Sequence, residues 1–149
     1  MTAQSPVNFS GKWEYNKSKS SPGTNNANYP GIIVRQITQT AATIAYNDLF
    51  IRPGQKDWKS SDELFNLDGK VQVIKTSTET MKKSTKWSPD KSTLTLTYIT
   101  VYDQDGVTKE LMVEEAHKLS DGGKTLTITQ LFKNTDTGET RKTNVYRKK

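Results

Sequence analysis

Hydrophobic and polar residues alternate one by one along much of this chain. In the segment 93–102, Leu94 and Leu96 lie on one side of an extended chain and threonines lie on the other, and the segment 125–132 repeats this arrangement. Alternation with a period of two is typical of a β-strand with one buried face, and β-branched threonine suits the exposed face. Because no stretch of twelve residues has a helical period of about 3.6 residues, the pattern predicts little helix.

Turn sequences separate the alternating segments. Asp68-Gly69, Asp105-Gly106, Asp121-Gly122-Gly123 and Thr137-Gly138 are typical of tight turns between strands, and so is Ser88-Pro89-Asp90-Lys91. The strands predicted between the turns cover residues 10–16, 32–39, 42–51, 61–67, 70–77, 80–87, 93–102, 107–119, 125–133 and 139–147. Residues 17–30 and 52–60 are predicted loops.

Ten strands joined in sequence predict an antiparallel up-and-down meander. A meander leaves two unpaired edges unless its first and last strands pair and close it into a barrel. A two-layer sandwich would need long crossovers, and the sequence after residue 60 has none. We therefore predict an all-β fold, a meander closed into a barrel of about 8–10 strands. It forms a single domain of residues 1–149, with a flexible N-terminal segment at 1–8.

Composition and charge exclude several functional classes. The net charge is +6, but the basic residues are scattered singly among acids and threonines, which favours solvated strand faces over a nucleic-acid surface. The absence of cysteine excludes a disulfide scaffold and thiolate chemistry, and a single histidine disfavours a histidine-rich metal centre. No apolar run approaches the roughly 20 residues of a membrane span. We expect no cofactor, no metal, no nucleic-acid partner and no membrane insertion.

The N-terminal residues bear on the cellular compartment. Met1-Thr2-Ala3-Gln4-Ser5-Pro6 contains no hydrophobic signal core, which taken literally indicates a cytosolic protein. The same polar start is typical of a mature end left after signal cleavage, with Met1 added for expression. The absence of cysteine is compatible with both compartments. We favour an exported bacterial protein, periplasmic or secreted, with a cytoplasmic location as the alternative.

The two ends of the chain carry a family resemblance. The segment Phe9-Ser10-Gly11-Lys12-Trp13 contains a Gly-x-Trp motif, Lys17-Ser18-Lys19-Ser20 follows it, and the last strand ends in Val145-Tyr146-Arg147. In these features the chain resembles the calycin superfamily, and within it small bacterial lipocalin-like proteins. The resemblance implies a lipocalin-like barrel whose base is closed by Trp13 packing against a basic side chain of the last strand, Arg141 or Arg147. The lipocalin Thr-Asp-Tyr motif and the Arg-x-Tyr clamp of fatty-acid-binding proteins have no match here.

Some polar side chains fall on the apolar face of their strands. Glu115 and His117 alternate with Val113 and Leu119 in the strand at 107–119. Similar placement selects Lys83, Tyr98, Tyr102 and Gln130, and Phe132 on the same face as Gln130 is a candidate apolar contact. Buried polar groups are costly unless they are paired or solvated, so a wet cavity that binds the polar group of a ligand would account for them.

The orientation of Arg35 is left open by the sequence. It lies between Ile33 and Ile37, which would place it inside the barrel. Ile32 and Val34 make the other face of the same strand equally apolar. The faces of the strands before residue 60 are therefore undetermined.

Three functions are compatible with this pattern. The favoured one is a binding protein for a small hydrophobic or amphipathic molecule, in which these polar residues contact the ligand. In the second, Glu115 and His117 form a satisfied internal pair in a filled barrel, and the loops 21–30 and 52–60 bind a protein partner through residues such as Trp58. The third is an enzyme that uses His117 and Glu115. We disfavour it because no serine lies in a nucleophile elbow and Glu114 and Glu115 point to opposite faces.

Overall fold

Antiparallel β-structure dominates this protein. The structure is a computed structural model in which residues 5–149 are described, and that part contains eleven strands. They are β1 (Gly11–Tyr15), β2 (Ile32–Gln39), β3 (Thr43–Ile51), β4 (Trp58–Lys59), β5 (Glu63–Asn66), β6 (Gln72–Lys75), β7 (Glu79–Trp87), β8 (Thr93–Gln104), β9 (Val107–Ser120), β10 (Thr125–Asn134) and β11 (Gly138–Lys148). The short helices are α1 (Asn25–Asn28) and two 3-10 turns, Lys17–Lys19 and Asp121–Gly123.

All ten predicted strands are present, with bounds within two residues of those predicted. The predicted loop 52–60 needs a correction, because β4 lies inside it and pairs with Leu49 and Phe50 of β3. A strand of two residues is too short to show alternation.

The turn at Asp105-Gly106 has positive φ angles of 53° and 79°, the conformation in which a two-residue turn matches the twist of its strands.

The strands form one up-and-down sheet. Its order is β4-β3-β2-β1-β11-β10-β9-β8-β7-β6, and β5 also pairs with β3. The first and last strands are adjacent, as predicted, with Trp13 opposite Lys148 and Tyr15 opposite Tyr146. Residues 1–4, which include most of the N-terminal sequence interpreted above, lie outside the described residues.

Although β1 pairs with β11, strand pairing does not close the sheet into the complete barrel that the sequence predicted. Within residues 5–149, β5 and β7 face each other without a ladder of backbone hydrogen bonds. Two side chains bridge them instead: Thr85 Oγ1 donates to the Asn66 carbonyl at 2.9 Å, and Lys83 Nζ donates to the Leu64 carbonyl at 3.3 Å. We call this gap the seam. It exists because β6 pairs only with the stretch of β7 from Thr80 to Lys83, which leaves residues 84–87 of β7 without a second strand.

The two ends of the sheet differ. We call the base the end that carries the turns at 40–42, 88–92 and 121–124. There Phe9 and Trp13 are fully buried, Trp13 Nε1 donates to the Phe9 carbonyl at 2.9 Å, and Phe9 stacks on Trp87 with ring centroids 6.2 Å apart. Val7, in the segment predicted to be flexible, donates its backbone N–H to the Lys91 carbonyl at 3.2 Å. The N-terminal residues from Val7 to Phe9 thus pack across the base.

The opposite end, which we call the mouth, is more open. It carries the loops at 16–31, 52–57, 76–78, 105–106 and 135–137. Along the inner face of β9, His117 and Glu115 near the base are 0% and 2% exposed, whereas Leu111 nearer the mouth is half-buried. Along β8 the same change occurs from Leu96 to Tyr98. Solvent therefore reaches the inner face from the mouth. Among residues 5–149, no helix has the length and apolar character to cross a membrane.

Candidate ligand-binding site

Arg35 lies on the inner face of β2, which resolves the orientation that the sequence left open. It is 7% exposed, and its Nε and Nη2 donate to Oδ1 and Oδ2 of Asp48 at 2.8 and 2.9 Å. Asp48 is directly opposite on β3. Val34, on the other face, is also buried, at 2% exposed. Two buried faces explain why alternation did not fix the orientation.

Aromatic rings complete the surroundings of Arg35. Its guanidinium carbon is 4.3 Å from the ring centroid of Tyr46 and 5.5 Å from that of Tyr146, distances at which a cation is attracted to the face of a ring. Burial disfavours the charged form, but Tyr146, Asp48 and Tyr46 raise the pKa of Arg35 well above its ordinary value. The guanidinium is therefore a permanent positive charge inside the sheet.

Glu115 is the second buried acid of this cluster. Its Oε1 accepts a hydrogen bond from Tyr46 Oη at 3.4 Å. Its Oε2 lies 3.9 Å from Arg35 Nη1 and has no hydrogen-bond partner within residues 5–149. Burial raises the pKa of Glu115, and the charge of Arg35 opposes that change. The carboxyl group therefore holds its proton to a higher pH than an exposed glutamate does.

His117 lies one inward position closer to the base than Glu115. Its Nδ1 is 3.1 Å from the Glu115 backbone carbonyl, and its Nε2 has no hydrogen-bond partner in the described part of the chain. Burial, with the charge of Arg35 as a second cause, lowers the pKa of His117 to about 4. The two side chains do not bond to each other, and each keeps one unpartnered buried atom. A mutually satisfied pair, one of the interpretations of the sequence, is not what the structure shows.

A hydrogen-bonded pair of amides adjoins this cluster. Asn144 Nδ2 donates to Gln130 Oε1 at 3.0 Å, and Asn144 Oδ1 accepts from Tyr15 Oη at 3.3 Å. Burial raises the pKa of Tyr46, Tyr98 and Tyr146, so these phenols stay neutral. We call Arg35, Asp48, Glu115, Tyr46, Gln130 and Asn144 the polar cluster.

The structure brings some of the predicted site residues together and separates others. Glu115 and Gln130 belong to the polar cluster, and Tyr98 lies beside it, as the next inward residue of β8 after Leu96, which is opposite Glu115. Lys83 lies at the seam, where its Nζ is 3.2 Å from Glu63 Oε2.

The remaining two predicted contacts lie nearer the mouth. The ring of Phe132 contacts Lys142, whose Nζ is 5.4 Å from the ring centroid. Tyr102 lines a shallow cleft of about 360 Å³ beside residues 76–80. The predicted residues therefore extend from the polar cluster to the mouth along the inner face.

Asp48 and Tyr46 were missed by the sequence interpretation. Both alternate with Ile44 and Phe50 on β3, so the same period of two would have selected them. They lie in the part of the chain whose strand faces were undetermined. Arg35 was recognised only as a residue of open orientation.

The basic partner of Trp13 differs from the expected one. Lys148 Nζ is 5.5 Å from the Trp13 ring, in place of the Arg141 or Arg147 that the family resemblance implied. Arg147, one position earlier, points to the other face of β11 and bonds to Glu14 on the surface. Arg141 is exposed and lies 3.1 Å from Glu139. Strand alternation is the reason, because only every second residue of β11 can reach a given face.

Two clefts lie beside Trp87, away from the polar cluster. One of about 490 Å³ opens at the base between Gln39 and Lys91, and another of about 490 Å³ follows the seam past Val71. Both are lined by Leu67 and Trp87. The described residues contain no group of three acidic or histidine side chains arranged to hold a metal ion.

Comparison with known proteins adds no relative. No family model matches this sequence, and no curated protein shows significant similarity to it.

Proposed function

We propose that this chain is a lipocalin-like binding protein, a barrel completed by side chains across the seam. It holds a small amphipathic molecule on the mouth side of its inner face. The observation that carries the proposal is the polar cluster itself, a charged group of side chains with an unpartnered buried oxygen, Glu115 Oε2, facing the inside of the sheet. The proposal includes no chemical step, and it places the protein in the periplasm or outside the cell.

The energetics of burial support this function. A buried polar atom without a partner costs free energy, about 1–3 kcal/mol in proteins, and a ligand group that bonds to it recovers part of that cost. On the mouth side of the polar cluster, the inner face carries Leu111, Phe50 and Phe132. All three are half-buried and so partly in contact with water. Covering them with an apolar ligand contributes about 25 cal/mol per Å² before ordering costs.

Native mass spectrometry of the purified protein, followed by organic extraction, tests whether a small molecule is carried. A matched pair of variants then locates it. Thr100→Trp places a large side chain on the inner face of β8 and fills the space toward the mouth. Thr97→Trp places the same side chain on the outer face of the same strand. We expect Thr100→Trp to abolish binding and Thr97→Trp to retain it. Equal binding by the two variants would contradict an inner-face site.

A second candidate function rests on the loops at the mouth. Trp58 is 61% exposed, its ring centroid is 5.0 Å from that of Phe50, and Phe50 also meets Tyr29 at 5.4 Å. These contacts join the two loops predicted to bind a protein partner, 21–30 and 52–60, into one aromatic surface. Aromatic side chains dominate the energetics of many protein interfaces. If the loops carry the function, Trp58→Ala abolishes it and Thr100→Trp leaves it intact, the reverse of the carrier.

A further inference from the structure

Charged side chains on the inner face are paired unevenly. In the described part of the chain, three inward cations have an acidic partner: Arg35 with Asp48, Lys83 with Glu63 and Lys109 with Asp136. Glu115 has no cation of its own. Its nearest one is Arg35, whose Nε and Nη2 are already bonded to Asp48. The remaining Arg35 nitrogen is 3.9 Å away from Glu115 Oε2, which is beyond hydrogen-bond distance.

The unpartnered atoms beside Arg35 are both hydrogen-bond acceptors. Glu115 Oε2 is one. The other is His117 Nε2, because the Nδ1 of this neutral imidazole faces a backbone carbonyl, which only accepts, so Nδ1 carries the proton. The hydroxyl of Tyr46 is already directed at Oε1. Tyr98 and Gln130 also face Glu115 and carry donors, but within residues 5–149 no donor lies within hydrogen-bond distance of Glu115 Oε2 or His117 Nε2.

We propose that the polar head of the ligand is a protonated amine that donates to Glu115 Oε2. This rests on the proposed carrier function and specifies its ligand class. An ammonium supplies both the missing donor and the missing positive charge, in a setting where charge-assisted hydrogen bonds are strong. The groups that face Glu115 are Arg35 on β2, Tyr46 and Asp48 on β3, Tyr98 on β8 and Gln130 on β10.

An anionic head is disfavoured by the same arrangement. At the depth of Glu115 it would meet two carboxylates and one guanidinium that Asp48 already neutralises. Inward cations without an acidic partner in residues 5–149 include Lys148, over the Trp13 ring at the base, and Lys142, which lies on the Phe132 ring toward the mouth. A carboxylate ligand would therefore bind near Lys142 and would not depend on Glu115.

Three probes of equal chain length separate these cases. Octylamine, octanol and octanoate carry a cationic, a neutral and an anionic head on the same apolar body, and isothermal titration calorimetry at pH 7 gives each affinity. We expect octylamine to bind about tenfold to a hundredfold more tightly than octanol or octanoate, the range that one charge-assisted hydrogen bond provides. Glu115→Gln keeps the shape and removes the charge, and we expect it to erase this preference.

Glu114→Gln is the matched control, because Glu114 is the neighbouring residue on the opposite face of β9. It should keep the preference for octylamine. If octanoate or octanol binds as tightly as octylamine to the native protein, the amine is the wrong class while the carrier function stands. If none of the three binds, the carrier function itself is contradicted. The order of the three affinities in the native protein tests the amine proposal even if Glu115→Gln fails to fold.

Discussion

Arg35 and Asp48 lie opposite each other on adjacent strands and form a two-pronged ion pair on the inner face, at 2.8 and 2.9 Å. The side chains are 9% and 15% exposed, so the pair is largely removed from water. Within a low-dielectric interior, such a pair tolerates the loss of neither partner, since the remaining charge is left uncompensated.

Asp48→Ala tests this dependence. We expect it to lower the free energy of unfolding by about 3–5 kcal/mol, because it leaves the Arg35 guanidinium buried without its acid. The double variant Arg35→Met/Asp48→Leu should recover most of that loss. Urea unfolding measures both. In the exposed pair formed by Arg141 and Glu139, Glu139→Ala should cost no more than about 1 kcal/mol. A similar cost at both sites would contradict the role assigned to burial.

His117 makes stability depend on pH. Native His117 stays neutral down to a pKa of about 4, whereas in the unfolded chain the pKa is near 6.5. Below pH 6.5 the unfolded chain therefore binds more protons, and the stability present above that pH is lost as the pH falls toward 4. Relative to pH 7, we expect a loss of about 2–3 kcal/mol at pH 4.5 from this residue.

The His117→Leu variant isolates that contribution. Glu115, whose pKa is raised, acts in the opposite direction, but it is present in both proteins and cancels in the comparison. Chemical unfolding of native protein and variant at pH 7 and 4.5 gives the difference. If the variant loses as much stability on acidification as the native protein does, the histidine is not the source.

The seam predicts where the sheet opens first. Thr85→Val keeps the side-chain shape and removes the hydrogen bond to the Asn66 carbonyl, at a cost of about 1 kcal/mol. Because no backbone ladder joins β5 to β7, we expect amide hydrogen exchange to accelerate in residues 63–75 and to stay unchanged in β10. Thr129→Val, on the exposed face of β10, is the control. Uniform acceleration across the sheet would rule out a local opening.

The tryptophan at the base and the exposed tryptophan at the mouth should contribute differently to stability. Trp13→Phe removes the Nε1 hydrogen bond to the buried Phe9 carbonyl and leaves a void, and we expect it to cost about 2–3 kcal/mol. The same change at the exposed Trp58 should alter stability by less than about 0.5 kcal/mol. Thermal or urea unfolding of both variants makes the comparison. Equal effects would mean that Trp13 does not close the base as described.

The sequence by itself determined ten of the eleven described strands and most of their order; β4 was missed, and β5 and β6, on either side of Asp68-Gly69, do not pair. Each strand is encoded locally, by apolar residues at every second position, and the Asp-Gly turns between strands leave little choice of neighbour. The adjacency of β1 and β11 followed from the cost of leaving sheet edges unpaired. Inward placement of Glu115 also followed, because Val113 and Leu119 mark one face of β9 without ambiguity.

Only the tertiary structure decided the orientation of Arg35, the partner of Trp13 and the position of the seam. Ile33 and Val34 give β2 two apolar faces, so its orientation depends on which face meets the other strands. The position of the seam depends on where β6 stops pairing with β7. Contacts between different segments of the chain set that point, and alternation within one strand does not predict them. A period of two assigns the residues of a strand to two faces, and the packing of the whole sheet determines which face is inside.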